Sequence, residues 1–570
     1  MVAEHTTAFY LVLLETSGNQ AYIFDTNKLR HVMGASEIIH RTGRSFVKEA
    51  LEKVFGGARF DPAHVEGQKP IEESQEQFEV LLATSGKAVI LFRDRGKAAE
   101  FISAWSNKIL KESPGVDATG VISSSPVDMA RPLLVDEVGS LPWALQDVHR
   151  QFEKVRRMRP PVSGRFPRVP FAADCAFSGL PAEGISKVWA PSQPASSVCL
   201  EKEQAGRSNE FRERFRRLFE GTELAPFGDI TEMEQKMEEL SWLGVIHADG
   251  NGMGRIFMEF HNYLQPGGDK LPGRCFADAY RGFSVALDSL GEEAFKTAVK
   301  EVFGNEKSSS DKVPVLPVVV GGDDMTVIID GKKALAFTCA YLKHFCSLSE
   351  KDENIKNVLK SPKAYDDLGA KRIGVSAGVS IAKPHFPFHA SYSLAEELLK
   401  SAKTSKRRAN PATSSLDFHI LYDSTVRDLS IIRELLSRER MTLTAKPFVF
   451  ERAGEPRDKE WADTHDYERF LKAVFALKSR EKEDEKTRAL PSSQAHGFRN
   501  VLVSETREVC DAGWGALLDR YPRFAETWNK EVPLFEDNTG TTVFLDALEA
   551  LDFTAEPGQK EEAGKEAQHQ

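Results

Sequence analysis

The chain has 570 residues, 41% of them hydrophobic, and a formal charge of −10. That length allows several domains with ordinary cores, and the acidic balance argues against strong, sequence-independent nucleic-acid binding by the whole surface. No stretch is apolar enough for a membrane span, and Glu4 precedes the first apolar run with no basic leader or cleavage pattern, so a cytoplasmic protein is expected. Six cysteines, at 175, 199, 275, 339, 346 and 510, are scattered in a way that suits reduced thiols better than a disulfide framework.

The first predicted element is an apolar strand at 9–14, followed by a loop at Gly18-Asn19. Apolar runs on either side of Thr84-Ser85-Gly86-Lys87 predict a β-hairpin over 78–92. A strand at Thr119-Gly120-Val121-Ile122 and a helix over 143–159 come next, and Pro160-Pro161, Pro167, Pro170 and Gly179-Leu180-Pro181 close this first domain, 1–170. A connecting subdomain is expected over 171–240. Within it, 207–217 alternates arginine with glutamate and spaces Phe211 and Phe215 four apart, the pattern of a packed amphipathic helix more than of an RNA site. Cys175 and Cys199 lack the Cys-x-x-Cys spacing of a closed zinc site, and whether they bind a metal stays open.

A second strand, 242–248, runs into Asp249-Gly250-Asn251-Gly252-Met253-Gly254. Over 314–329, two β-branched runs are joined by Gly321-Gly322-Asp323-Asp324, a hairpin whose turn carries adjacent carboxylates. A strand at Ala377-Gly378-Val379-Ser380 and a helix over 393–408 follow, with polar insertions at 304–312 and 349–371 read as loops. This domain is placed at 241–425. Heptad-like apolar spacing then predicts a helical domain, 426–555, in which Ser492 is expected to cap a helix. The charged tail, 556–570, lacks core residues and is expected to be disordered.

Asp249, Asp323 and Asp324 are expected to meet at the end of one sheet. Hard divalent cations take oxygen ligands from one or two carboxylates plus substrate phosphates, and glycines let a backbone approach those phosphates. Gly and Asp also serve ordinary turns, but turning needs no second Asp. Lys400, Lys403, Ser405, Lys406 and Arg407 are close enough in helical spacing for some to share a face. Triphosphate binding and a solvated last turn complementing the helix dipole both stay open for them. Strand, hairpin and following strand-helix recur in the same order in both halves, so the first is read as a degenerate copy. In that reading Ser17 falls where Asp249 does, the carboxylates are missing, and Lys87 is either a phosphate contact or a plain turn lysine.

These two motifs, in tandem with the degenerate copy, resemble the large polymerase/cyclase subunit of type III CRISPR effector complexes, or a relative of it without the nuclease domain. The run over 14–36, with Gly18-Asn19-Gln20 and Gly34-Ala35-Ser36-Glu37, is similar to first-palm sequences of that family, and the resemblance spans most of 1–425. It implies an α+β fold of two tandem ferredoxin-like palm domains with a helical linker subdomain and a helical C-terminal domain. It also implies a nucleotidyltransferase that joins ATP into cyclic oligoadenylate-type second messengers in antiviral defence. Two Mg²⁺ or Mn²⁺ ions are expected on Asp249, Asp323, Asp324 and the carbonyl of Gly250. Nucleotide contacts are expected from Gly18, Asn19, Ser85, Gly86 and Lys87 in one palm, and from Gly250, Asn251, Gly252, Gly254, Gly321, Gly322, Lys400, Lys403 and Arg407 in the other. Guide RNA and other effector subunits are the implied partners, and one chain supplies both palms, so a monomer suffices. The family's histidine-aspartate nuclease has no expected counterpart, since the first palm strand begins at Phe9 and the only such dipeptide, His465-Asp466, is read as an exposed loop pair. Two other readings stand beside this one: a cyclic dinucleotide synthase outside CRISPR, and a catalytically silent scaffold of an RNA-guided complex.

Overall fold

The computed structural model describes residues 8–554 except 58–59, 63, 189–190, 221, 223–229, 265–270, 305–312, 423–427, 439, 482–486, 529–532 and 537–538. The expected disordered tail, the body of the 304–312 insertion and the expected boundary at 425 lie outside the described residues.

The first palm is built from β1 (Ala8–Ser17), α1 (Leu29–Gly43), β2 (Phe78–Thr84), β3 (Lys87–Phe92), α2 (Arg95–Glu112) and β4 (Asp117–Ile122). Its strands run in the order β2-β3-β1-β4, all neighbours antiparallel. Leu11, Val12, Leu13 and Leu14 are all fully buried, which is why β1 reads as a continuous apolar run instead of an alternating one. Helix α2 starts where Asp94 accepts a hydrogen bond from the Lys97 amide at 2.7 Å. Helix α3 (Leu141–Met158) is capped by Ser140 and has Pro142 in its first turn.

Two linker helices follow, α4 (Ser197–Ala205) and α5 (Asn209–Arg217). Phe211 and Phe215 on α5 are buried, and their rings continue through Phe219 to Phe295 of the second palm. The 207–217 segment is therefore a packed amphipathic helix.

The second palm repeats the first: β5 (Leu243–Gly250), α6 (Pro272–Phe303), β6 (Val315–Gly321), β7 (Asp324–Asp330), α7 (Gly331–Ser349) and β8 (Val375–Ala382). Helix α8 (Phe388–Ala402) leads to β9 (Ser414–Ile420), which adds to β8 in parallel, and β10 (Phe448–Phe450) pairs antiparallel with β9. The sheet order is β10-β9-β8-β5-β7-β6. The run β8-β5-β7-β6 has the order and connectivity of β4-β1-β3-β2 in the first palm, so the molecule is an α+β protein with two tandem palms of ferredoxin-like topology. An Arg-Glu network joins them. Arg274 of α6, 3% exposed, donates to both carboxylate oxygens of Glu72 and of Glu79, and Arg281 also reaches Glu79.

The C-terminal part is mainly helical, with α9 (Tyr467–Lys478), α10 (Ser492–Ser504), α11 (Arg507–Arg520) and α12 (Phe544–Glu549) around Phe498, Trp514 and Phe544. It also contributes β10 to the palm sheet, because Phe448 and Val449 are buried against that sheet's open edge. Three expectations need correction. The 349–371 insertion holds two short helices, Glu353–Leu359 and Pro362–Leu368, the first capped by Asp352. Helix α10 begins at Ser492, but Pro491 takes the cap position without a side-chain bond, and the Ser492 hydroxyl accepts from Arg488 at 3.2 Å instead. His465 and Asp466 are half-buried: Asp466 caps α9, and His465 stacks on Trp461 with ring centroids 4.2 Å apart.

Candidate functional site

The pairing register of β5 with β7 sets Asp249 directly opposite Asp324. At the strand end the Gly250 amide donates to the Asp323 carbonyl at 3.1 Å, closing the turn onto β5. A Cβ at Gly250 would lie 2.7 Å from Asp323 Cβ and 3.0 Å from its Oδ2, so only glycine admits this contact. Gly322 has φ +62°, the left-handed region, and its amide donates to Asp288 Oδ1 at 2.9 Å. Asp288 lies on α6 and is also paired with Arg44 of the first palm, so a residue of one palm steadies the acidic turn of the other.

Burial and repulsion by Asp324 push the Asp323 carboxyl up to about 7. Burial also raises Asp324, with His247 pulling the other way. Asp324 Oδ1 is buried without a hydrogen-bond partner, and His247 Nδ1 stands 3.5 Å from it. Two carboxylates on one turn with an orphaned oxygen are an arrangement that a bound cation would relieve. Asp249 departs from expectation: its carboxylate contacts the Lys403 ammonium. Burial, with repulsion from Lys406, brings Lys403 down to about 8. Among the described residues no three His, Cys, Asp or Glu side chains group closely enough to hold one ion. Asp249 thus meets the two turn carboxylates at the end of the sheet, as expected, but with its charge taken by a lysine. Asp323 and Asp324 alone fit a hard divalent ion that takes its remaining ligands from water or phosphate.

A cavity of about 600 Å³ opens between the palms. Of the expected residues, Asn19, Ser85, Lys87, Gly254, Gly321, Gly322, Asp323 and Asp324 line it. Gly18, Gly86 and Gly252 do not; they are turn glycines with φ between +65° and +82°. Asn251 needs correction as a ligand contact. Its side chain is fully buried, donates to the Thr413 carbonyl at 3.0 Å and accepts from Ser376 at 2.8 Å. Lys400 is exposed and paired with Glu396 at 2.7 Å, and Arg407 is exposed, so of the three expected cations only Lys403 turns to the strand end.

The structural repeat also shifts the sequence correspondence by two residues. The Thr16 amide donates to the Gly86 carbonyl as Gly250 does to Asp323, and Gly18 begins a helical turn with positive φ as Gly252 does. Glu15, paired in register with Lys87, therefore matches Asp249 opposite Asp324, and Ser17 matches Asn251. The first palm keeps one carboxylate and neutralises it with Lys87, 3.1 Å away. Glu15, Asp288 and Tyr392 line the cavity, and His247 touches Gln20 of the first palm at 3.4 Å; none of the four carries a local sequence signal.

Residues 242–412 match the family model of the second palm domain of Cas10/Cmr2. No curated protein sequence matches the chain. The crystal structure of Csm1 in T.onnurineus superposes with a TM-score of 0.51 at 14% identity, covering 96% of this chain and 70% of that one, a likeness of fold. Csm1-Csm4 cassettes in complex with one ATP and with cA4 give TM-scores of 0.49 and 0.48 at 13% identity. They cover 96% of this chain and 70% and 69% of theirs. Among the described residues no helix is long and apolar enough to cross a membrane. The second palm thus matches the Cas10/Cmr2 palm model in sequence, and the tandem-palm course of the chain is similar in fold to Csm1.

Proposed function

We propose that this chain is a metal-dependent nucleotidyltransferase that joins ATP units, with release of pyrophosphate, into cyclic oligoadenylate-type second messengers for antiviral defence. The observation that carries this reading is the Asp323-Asp324 pair, destabilised by burial and mutual repulsion, opening on a 600 Å³ cavity that both palms line. A divalent ion held there, Mg²⁺ or Mn²⁺, supplies charge neutralisation at a triphosphate and acidity at an acceptor hydroxyl. The chain's own part is positioning. Gly250 and Asp288 fix the acidic turn, His247 packs behind Asp324, and Lys403 is the cation that a triphosphate competes for when it approaches Asp249. Lys87 and Glu15 shape the facing half-site, which takes the second nucleotide. In this reading the palms span 1–170 and 241–425, the subdomain between them braces the groove, and guide RNA with other effector subunits supplies the activating signal.

One observation favours a silent scaffold instead: Asp249 is already neutralised by Lys403. Incubating the protein with ATP or GTP and Mn²⁺, alone and with RNA-bound effector subunits, separates the readings by mass spectrometry of products. The proposal expects pyrophosphate and 3′,5′-linked adenylates, abolished by Asp323→Ala with Asp324→Ala in a variant whose circular dichroism is unchanged. Products from GTP alone would favour the dinucleotide reading, no product under any condition the scaffold, and only ADP or AMP would contradict all nucleotidyl transfer.

A further inference from the structure

Cys175 and Cys199 are 24 positions apart in sequence, yet their sulfurs lie 3.7 Å apart in the linker subdomain. Each sits in a short turn with a serine three residues away, Cys175-Ala176-Phe177-Ser178 and Ser196-Ser197-Val198-Cys199. The turns face each other: Ser178 Oγ and Ser196 Oγ are 3.3 Å apart, the Phe177 amide donates to Cys175 Sγ at 3.5 Å, and the Cys199 amide donates to Ser196 Oγ at 3.3 Å. The four side chains therefore converge on one point, two thiols and two hydroxyls. Hydroxyls are weak zinc ligands next to thiolates, and no third His, Cys, Asp or Glu joins the pair among the described residues. What the geometry offers is two sulfurs with little between them.

We propose that Cys175 and Cys199 form a redox-sensitive dithiol that a hydroperoxide converts to a disulfide. The pair is shallow. Cys175 is 4% exposed but lies between exposed Ala173, Asp174 and Ala176, whereas Cys199 is fully covered at the start of α4. The two thiols also differ in character. Around Cys175, hydrogen bonds from Ser178 and from backbone amides outweigh burial and bring it down to about 7; burial pushes Cys199 up to about 12. Cys175 is thus the attacking thiolate. It takes an oxygen from the peroxide as the O–O bond breaks, giving a sulfenic acid and hydroxide, which leaves as water. The Cys199 thiol then attacks the Cys175 sulfur; the S–S bond forms, the S–O bond breaks, and hydroxide departs with the Cys199 proton as a second water. Two thiols lose two electrons and two protons, and the peroxide is reduced.

The bridge would tie the 174–181 loop to α4, whose Lys202 and Glu203 hold Asp25 at 2.6 Å and His31 at 3.1 Å in the first palm. Its test uses the 570-residue chain, purified reduced, then exposed to equimolar hydrogen peroxide, denatured, alkylated and digested without reductant. The expected result is the loss of two of the six alkylatable thiols, a peptide pair linked through Cys175 and Cys199, recovery of both thiols with dithiothreitol, and a raised melting temperature. Cys199→Ser should instead trap a dimedone-reactive sulfenic acid at Cys175. Both thiols still alkylatable after peroxide, a bridge to any other cysteine, or about one zinc per chain that blocks oxidation until chelated would each overturn the proposal.

Discussion

Gly250 is the residue at which backbone and chemistry constrain each other most tightly. Its missing side chain is what lets the Asp323 carboxylate lie against β5, and its amide ties down the turn. Gly250→Ala leaves φ unstrained, so the fold should survive while Asp323 is displaced. Mn²⁺ affinity, read by titration, should fall about tenfold or more, as loss of one carboxylate ligand entails; unchanged affinity with an unchanged melting temperature would remove Asp323 from the ion site. His40 on α1 illustrates a different constraint. Burial and then Arg214, Arg44, Arg217 and Arg41 hold its imidazole well below the ordinary 6.5. As pH falls through 6.5, the unfolded chain binds a proton that the folded chain refuses, so stability is full above that pH and declines below it. His149 and His465, both lowered to about 4, act in the same sense. His40→Gln should accordingly flatten, in part, the fall of melting temperature between about pH 6.5 and 5; an unaltered slope would contradict the arginine cage.

At the scale of elements, the two hairpins perform opposite tasks with one backbone. In the second palm β5 and β7 present Asp249 and Asp324; in the first, β1 and β3 present Glu15 and Lys87, which satisfy each other. Asp324→Asn should therefore depress product formation by about a hundredfold or more. Glu15→Gln removes only a partly exposed ion pair and should change it by no more than about threefold. Equal losses in the two variants, measured as initial rates of pyrophosphate release, would erase the division of labour. Much of this plan was legible beforehand. β-branched runs around Gly321-Gly322-Asp323-Asp324 announce a hairpin, and the same order of elements announces a repeat. The register was not, because Gly18-Asn19 and Gly250-Asn251 look alike as dipeptides while only hydrogen bonding shows that Gly18 stands where Gly252 does. Asn251 misled for the same reason: a loop-like motif conceals an amide spent entirely inside the core. Helical spacing leaves Lys403 open between a phosphate contact and a solvated last turn; its pairing with Asp249 depends on how α8 crosses the sheet, which no local pattern encodes.

Over the whole molecule, both palms line the cavity, and α6 ties one palm to the other. Near its start Arg274 and Arg281 clasp Glu79, which is fully buried in β2 of the first palm; burial would raise that carboxyl, but the two guanidiniums keep it low. Fourteen residues further along, about 21 Å at helical rise, Asp288 on the same helix takes the Gly322 amide and the Arg44 guanidinium. A single rigid element thus connects the clasp between the palms to the acidic turn. Arg274→Ala leaves Glu79 and Glu72 short of their main partner in a buried setting, a loss on the order of 3–5 kcal/mol. Arg274→Lys keeps the charge but not the fork that reaches two carboxylates at once, and should fall between wild type and alanine. Calorimetry should show the melting transition lowered in the order wild type, lysine, alanine, with product formation reduced in the same order at a temperature where all three are folded. If the alanine variant melts like wild type, the clasp is not structural; if it melts early yet keeps full product yield, the separation of the palms does not govern the site.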